Sequence, residues 1–254
     1  MIDDTLLDIE HEKISEYSNF LSQFHHPIFF MDDNGKPKLT GTGFILEINH
    51  RRFFVTAAHV ANDVKKRGLF VGTILSKSTP CAFSQSKGDS YDNLDIAVME
   101  VTDKEPFNTM KGISQNMLSP DQEERRGVFI FIGYPSKSQK RQYDKKDSYK
   151  IGARAYYASL CSESDYDSLG FTSRLHIVIK FDPKKCKDET GSQFTFPAPQ
   201  GMSGGGIWRY TPGLGRPVLC GVAHTNLSKK KFFLGTSIYL VLAWINQAYG
   251  VMPK

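Results

Sequence analysis

Ser203 lies inside Gly201-Met202-Ser203-Gly204-Gly205-Gly206, downstream of Thr56-Ala57-Ala58-His59-Val60 and of Asp95-Ile96-Ala97-Val98. A serine hydroxyl is a poor nucleophile at neutral pH and needs a base within hydrogen-bond reach, itself oriented by a third group. His59 is the candidate base, because an imidazole titrates near physiological pH. Asp95 is the candidate orienter: a carboxylate on the other ring nitrogen fixes the tautomer and stabilises the imidazolium that forms. Asp92 competes for that role, but Asp95 directly opens the apolar run. Gly201 lets the backbone turn so that its N–H and that of Ser203 converge on one spot, as an oxyanion hole requires. Gly204 to Gly206 allow close approach of backbone behind the serine. Taken singly, each piece has an ordinary reading: a glycine turn, a satisfied histidine, a strand-entry aspartate. Together, in the order His, Asp, Ser, they point to nucleophilic catalysis, and the order itself separates the unrelated folds that share this geometry.

Several short strands must position these groups. Ile28 to Met31 form an apolar run closed by the turn composition Asp32-Asp33-Asn34-Gly35. Gly41 to Ile48 and Arg52 to Thr56 follow, separated by a polar break at Asn49-His50. Ala61 to Lys66 suit a short helical turn, and Leu69 to Leu75 and Asp95 to Val101 are further strands. The pattern weakens between about Thr102 and Arg126, the expected seam between two halves. Strand character resumes at Val128 to Ile132 and ends at Gly133-Tyr134-Pro135, before a long polar loop from about Ser136 to Ser148. Tyr149 to Cys161, Leu175 to Phe181, Gly205 to Tyr210 and Pro217 to Ala223 supply more strands. Such frequent turns suit a barrel or sandwich rather than alternating βαβ units. Helical spacing over Asp3 to Phe24 predicts an N-terminal helix, and Ile238 to Ala248 a closing one.

The three motifs resemble the trypsin/chymotrypsin family in its bacterial intracellular, disulfide-free form. Thr56-Ala57-Ala58-His59 matches the family's histidine motif, Asp95-Ile96-Ala97-Val98 its aspartate motif, and Gly201-x-Ser203-Gly204-Gly205 its serine motif. Gly41-Thr42-Gly43-Phe44 and Gly133-Tyr134-Pro135 also recur in such proteins. The resemblance covers roughly Pro27 to Gln247. It implies an all-β chain of two six-stranded antiparallel barrels, chymotrypsin-like, with an N-terminal and a C-terminal helix. The expected division is an N-terminal extension over 1–26, a first barrel over 27–115, and a second barrel with the closing helix over 116–254. His59 and Asp95 would come from the first barrel and Ser203 from the second.

Three residues depart from the animal enzymes of that family. Val60 stands where they carry a disulfide cysteine, Pro199 where many carry another, and Met202 where they carry an aspartate that pairs with a newly cut N-terminus. No cut should then be needed to build the oxyanion hole, and control of activity would fall to the N-terminal helix, the 136–148 loop or a partner protein. By the same resemblance the primary pocket is walled by Phe196-Pro197-Ala198-Pro199-Gln200 and by His224-Thr225-Asn226, closed by Gly235-Thr236. Nothing acidic lies in either wall, so a preference for Arg or Lys has no counter-charge. Pro197, Ala198, His224, Thr225 and Asn226 are the expected lining residues. His224 either faces the pocket, as histidines do in some Glu- or Gln-selective relatives, or is a wall residue hydrogen-bonded to the backbone.

The implied activity is serine endopeptidase action on a protein or peptide substrate, through an acyl-enzyme. The alternative is a silent barrel of the same fold serving as a binding or scaffold module. No cofactor is expected, and no His, Cys, Asp or Glu cluster has metal-ligand spacing. The net charge of +5 is mild for 254 residues, with lysines gathered at Lys137 to Lys150, Lys184-Lys185 and Lys229 to Lys231. A basic patch is necessary for nucleic-acid binding but common without it, so nucleic acid is not an expected partner. The N-terminal residues lack the layout of an export signal and no run approaches a membrane span, so a cytoplasmic protein without a membrane partner is expected. The cysteines Cys81, Cys161, Cys186 and Cys220 are expected as free thiols.

Overall fold

The computed structural model describes residues 11–34, 36–65, 70–71, 84–85, 94–101, 107–119, 126–136, 152–187, 192–211 and 215–252. Among them, a first sheet is built from β1 (His25–Met31), β2 (Pro37–Ile48), β3 (Arg51–Ala57), β4 (Phe70–Val71), β5 (Ser84–Gln85), β6 (Ile96–Val101) and β7 (Gly112–Ser114). Its order is β4-β1-β2-β3-β6-β5, with β7 paired to β2 outside that path. Then come β8 (Val128–Gly133), β9 (Arg154–Ala158), β10 (His176–Lys180), a two-stranded ribbon of β11 (Cys186–Lys187) and β12 (Gln193–Phe194), β13 (Gly206–Tyr210), β14 (Val218–Leu227) and β15 (Phe232–Ser237). The second sheet runs β10-β15-β14-β13-β8-β9. The architecture is all-β and chymotrypsin-like, with helices α1 (His11–Ser22) and α4 (Ile238–Tyr249) near its ends. The first sheet carries seven strands rather than the expected six, because 112–114 returns alongside β2 in parallel register.

Successive side chains of a strand face opposite ways, and here the two directions lead to different cores. Ile45, Phe54 and Met99 of β2, β3 and β6 fill the interior of the first sheet with Ile28 and Phe30 of β1. Phe129, Phe131, Ile207 and Phe233 fill the interior of the second. The alternate residues, Phe44, Leu46, Phe53 and Val55 from one sheet and Ile130, Ile132, Trp208 and Tyr210 from the other, meet in a seam cluster. Both terminal helices seat in that seam: Leu21 and Phe24 from the chain around α1, and Ile238, Val241 and Ile245 at helical spacing on α4. The Phe24 and Trp208 rings lie 6.0 Å apart and Tyr17 and Tyr210 5.0 Å apart.

Some expected elements move. The N-terminal helix spans His11–Ser22, and residues 1–10 of the expected helix lie outside the described residues. The helix after β3, α2 (Ala58–Lys65), starts earlier than expected and takes in His59. Of the expected strand Leu69 to Leu75, Phe70 and Val71 are described; Cys81, Asp92 and residues 137–151, with most of the polar loop, lie outside. One further helix, α3 (Glu163–Leu169), has no counterpart in the sequence reading.

Candidate active site

Asp95 sits just before β6 with φ +43°, a left-handed backbone that few non-glycine residues adopt but that Asp tolerates better than most. That turn lets one residue satisfy the start of α2 twice. Its carbonyl accepts from the Ala58 N–H at 3.0 Å, and its Oδ1 accepts from the His59 N–H at 2.9 Å. Both are donors that a helix N-terminus leaves unpaired. Oδ2 then lies 2.6 Å from His59 Nδ1, so the ring is held at its main chain and at its edge by one carboxylate. The apolar positions of α2, Ala58, Val60, Ala61 and Val64, are buried and fix the helix under it. The His59 side chain is 49% exposed and that of Asp95 21%, so the ring's far edge faces the open site.

Burial disfavours the imidazolium of His59, but the hydrogen bond and charge of Asp95, with the charge of Asp63, outweigh it and raise the ring's pKa above its ordinary value. Burial likewise opposes ionisation of Asp95, and the hydrogen bond and charge of His59 outweigh that and hold the carboxyl below its ordinary value. A Nδ1–H bound to Asp95 leaves Nε2 as the free base.

Ser203 stands in tight turns before β13. Met202 N–H donates to Pro199 C=O at 3.0 Å, and Gly205 N–H to Met202 C=O at 3.0 Å. Gly201 and Gly204 have φ +90° and +87°. Neither could carry a side chain: a Cβ on Gly201 would come 2.6 Å from the Tyr134 oxygen, and one on Gly204 2.0 Å from the Thr42 oxygen. The turn packs on the histidine segment, since the same atom on Gly204 would lie 3.0 Å from the Ala57 nitrogen. Among the described residues, the N–H groups of Gly201 and Ser203 hydrogen-bond to no protein atom, while the preceding carbonyl, Gln200, accepts from Ser136 N–H at 2.7 Å. Both donors are therefore free, and the carbonyl that could occupy their place is engaged elsewhere.

The Ser203 hydroxyl donates to the His224 carbonyl at 2.8 Å. Among the described residues, no hydrogen bond joins it to His59. His224 is thus a neighbour of both the serine and Asp95, and its ring is buried rather than turned into the pocket. It is 1% exposed at the side chain, with Nδ1 3.7 Å from Asp95 Oδ2. The Thr236 hydroxyl donates to Leu94 C=O, so His224 Nε2–H must donate to Thr236 Oγ1 at 3.2 Å. Nδ1 is then the acceptor for the Thr225 hydroxyl at 2.9 Å. Burial pushes His224 down to about 4, so the ring is neutral at neutral pH. A bulge explains the direction: Ala223 pairs with Gly235 and Thr225 with Leu234, leaving His224 as the extra residue. Its ring packs behind Asp95, and its main chain alone faces Ser203.

Of the other expected wall residues, Pro197, Ala198 and Thr225 are half-buried and Asn226 is exposed. Phe196 is 3% exposed and stacks edge-on against Tyr156, 5.5 Å away, behind that wall. Met202 is fully buried in the second interior. Val60 fills the space over Gly41, where a Cβ would come within 2.4 Å of its Cγ1, and Cys161, Cys186 and Cys220 are free thiols. Thr42, Thr56 and His25 carry no site role in the sequence reading; Thr42 bonds to Gly201 in the serine turn, His25 to Gly206 just after it, and Thr56 to the Thr42 carbonyl. Among the described residues no group of His, Cys, Asp and Glu is arranged to hold a metal, and no helix is long and apolar enough to cross a membrane.

A solved structure described as "Structure of GrC" superposes with a TM-score of 0.54 over 90% of this chain and 95% of its own, at 12% identity, which speaks for the fold. No curated protein sequence matches the chain. Residues 41–213, which contain the histidine, aspartate and serine motifs, match the trypsin-like peptidase domain family, and the chain belongs to that family.

Proposed function

We propose that the protein is a serine endopeptidase that cleaves protein or peptide substrates with Ser203 as nucleophile, His59 as general base and Asp95 as its orienting partner. The observation that carries this reading is the two-point hold of Asp95 on His59, 2.6 and 2.9 Å, which leaves Nε2 free on the exposed edge. In this mechanism the Ser203 hydroxyl leaves the His224 carbonyl for that nitrogen; catalytic hydrogen bonds of this kind often tighten only when substrate is bound. The serine oxygen attacks the scissile carbonyl as its proton passes to His59. The resulting oxyanion takes the N–H groups of Gly201 and Ser203, and His59 then gives its proton to the leaving amine. Water repeats the sequence on the acyl-enzyme. Loss of one oxyanion donor typically costs about 3–4 kcal/mol of transition-state stabilisation.

Pro197, Ala198, Thr225, Asn226 and the main chain of His224 form the proposed substrate pocket. None of these side chains is charged, so uncharged residues before the scissile bond are favoured over Arg and Lys. A second reading, a binding module that has kept the fold, is favoured by one observation, the serine hydroxyl held by the His224 carbonyl. Hydrolysis of a peptide library separates the two. The peptidase reading expects cleavage by the native chain, none by Ser203→Ala or His59→Ala, and native folding of both. Full cleavage by Ser203→Ala rejects the nucleophile, and a profile led by Arg or Lys rejects the pocket.

A further inference from the structure

Gly201 is held from both sides. The peptide before it is fixed through the Gln200 carbonyl by the Ser136 N–H, and the peptide after it through its own carbonyl, which accepts from the Thr42 hydroxyl at 2.8 Å. Thr42 lies on β2 of the first sheet and is fully buried. Its Oγ1 also accepts from the Tyr134 N–H at 3.0 Å. An amide N–H can only donate, so the single hydroxyl proton is committed to Gly201. The Thr42 N–H donates to the Ser203 carbonyl at 2.8 Å, and the Thr42 carbonyl accepts from the Thr56 hydroxyl at 2.7 Å. One threonine therefore grips the residues on either side of Met202, the two whose N–H groups are free. The Met202 side chain is buried among apolar groups and brings no polar atom to orient the turn. A glycine at φ +90° has little preference of its own for that conformation, so the orientation must come from its neighbours.

We propose that Thr42 is the positioning residue of the oxyanion hole: its hydroxyl, on the first sheet, sets the orientation of Gly201 on the second. The hole is thereby assembled across the seam and needs no charged group at position 202. The inference rests on the reading of Ser203 as the nucleophile. The experiment uses p-nitrophenyl acetate, whose acyl group reaches Ser203 without engaging a specificity pocket, with Thr42→Val and Thr42→Ser compared with the native chain. Thr42→Val should lower kcat about 100-fold, the lower end of what losing one oxyanion donor outright does, with KM nearly unchanged. Thr42→Ser, which keeps the hydroxyl, should restore most of that loss; a purely space-filling role would favour valine instead. The fluorophosphonate adduct of the native chain should show Gly201 N–H on the phosphonyl oxygen with Thr42 Oγ1 still on the Gly201 carbonyl. A Thr42→Val kcat equal to the native value, or an adduct in which Thr42 has released Gly201, overturns the proposal. Should Thr42→Val fail to fold, the adduct decides. A native chain that neither hydrolyses the ester nor takes up the phosphonate overturns the nucleophile reading itself, and Thr42 with it.

Discussion

Asp95 does more at the level of single residues than the sequence motif implies. It caps α2, orients His59 and accepts a left-handed backbone, and these roles can be separated. Asn also tolerates that backbone and can still accept from the His59 N–H, so Asp95→Asn should fold. Its uncharged amide cannot fix the tautomer or stabilise the imidazolium, so kcat should fall about 10⁴-fold, the scale known for this change in such triads. Peptide hydrolysis together with a melting curve would check it; a variant within tenfold of native activity would remove Asp95 from the mechanism. The base must be neutral to act, and Asp95 raises its pKa, so activity should rise with pH through a midpoint above the ordinary imidazole value of 6.5. A kcat/KM profile with its acid limb below 6.5 would contradict that assignment. His224 is a positioning residue in this account. His224→Ala should lower kcat for all substrates alike, and selective loss of Glu or Gln cleavage would return its ring to the pocket.

Among the elements, α1 is tied to β13, the strand that follows Ser203, by one buried imidazole. His25 Nε2 accepts from the Gly206 N–H at 2.9 Å, so its Nδ1–H donates to the Leu21 carbonyl at 2.9 Å. The Tyr134 hydroxyl donates to the His25 carbonyl at 2.9 Å. His25→Ala strands the Gly206 N–H, while the Leu21 carbonyl keeps the Phe24 N–H, and should cost about 1–3 kcal/mol, read as a lower urea midpoint. An unchanged midpoint would contradict a structural role for this bond. This tie could not be read from the sequence, because no local pattern places His25 beside Gly206, far along the chain. The elements legible in the sequence are the helical spacings and the continuous apolar runs between turn residues. Phe53-Phe54-Val55 and Val128 to Ile132 are apolar on both faces because each face meets a core. α3 was missed because Tyr166 is its only buried residue. Its signal lay in the caps: Ser162 and Asp165 form a reciprocal capping box, and Gly170 closes the helix in a left-handed turn. β15 was read only as the pocket's closing Gly235-Thr236, since Lys229 to Lys231 mask its start; pairing with β14 and β10 makes it a strand. The residues of the proposed triad are legible as types. The bulge that turns His224 toward Asp95 is not, because it exists only in the register between two strands.

For the whole molecule, docking of the two sheets buries His25 and His224 as neutral rings, and His26 packs within the first sheet's side. Burial holds His25 down at about 3, and His26 and His224 at about 4. In the unfolded chain each would take up a proton near the ordinary value, so between about pH 6.5 and pH 4 the unfolded state binds more protons. Stability should therefore rise with pH across that window and fall as the solution is acidified, by up to about 1.4 kcal/mol per pH unit for each histidine. His59 runs the other way: its raised pKa adds stability that is fully present below the unfolded value and lost as pH rises through the folded one. Urea midpoints from pH 7 to pH 4 should decline, and a flat profile would mean that these rings are not buried in the folded chain. The same docking brings His59 and Asp95, from the first sheet, to Ser203 on the second. The most direct test of that assembly is active-site titration of the native, uncut chain with a fluorophosphonate, followed by intact-mass and peptide mapping. The account predicts one phosphonyl group per chain, on Ser203, absent in Ser203→Ala and strongly slowed in His59→Ala. A folded native chain left unlabelled, or a label on another residue, would contradict it.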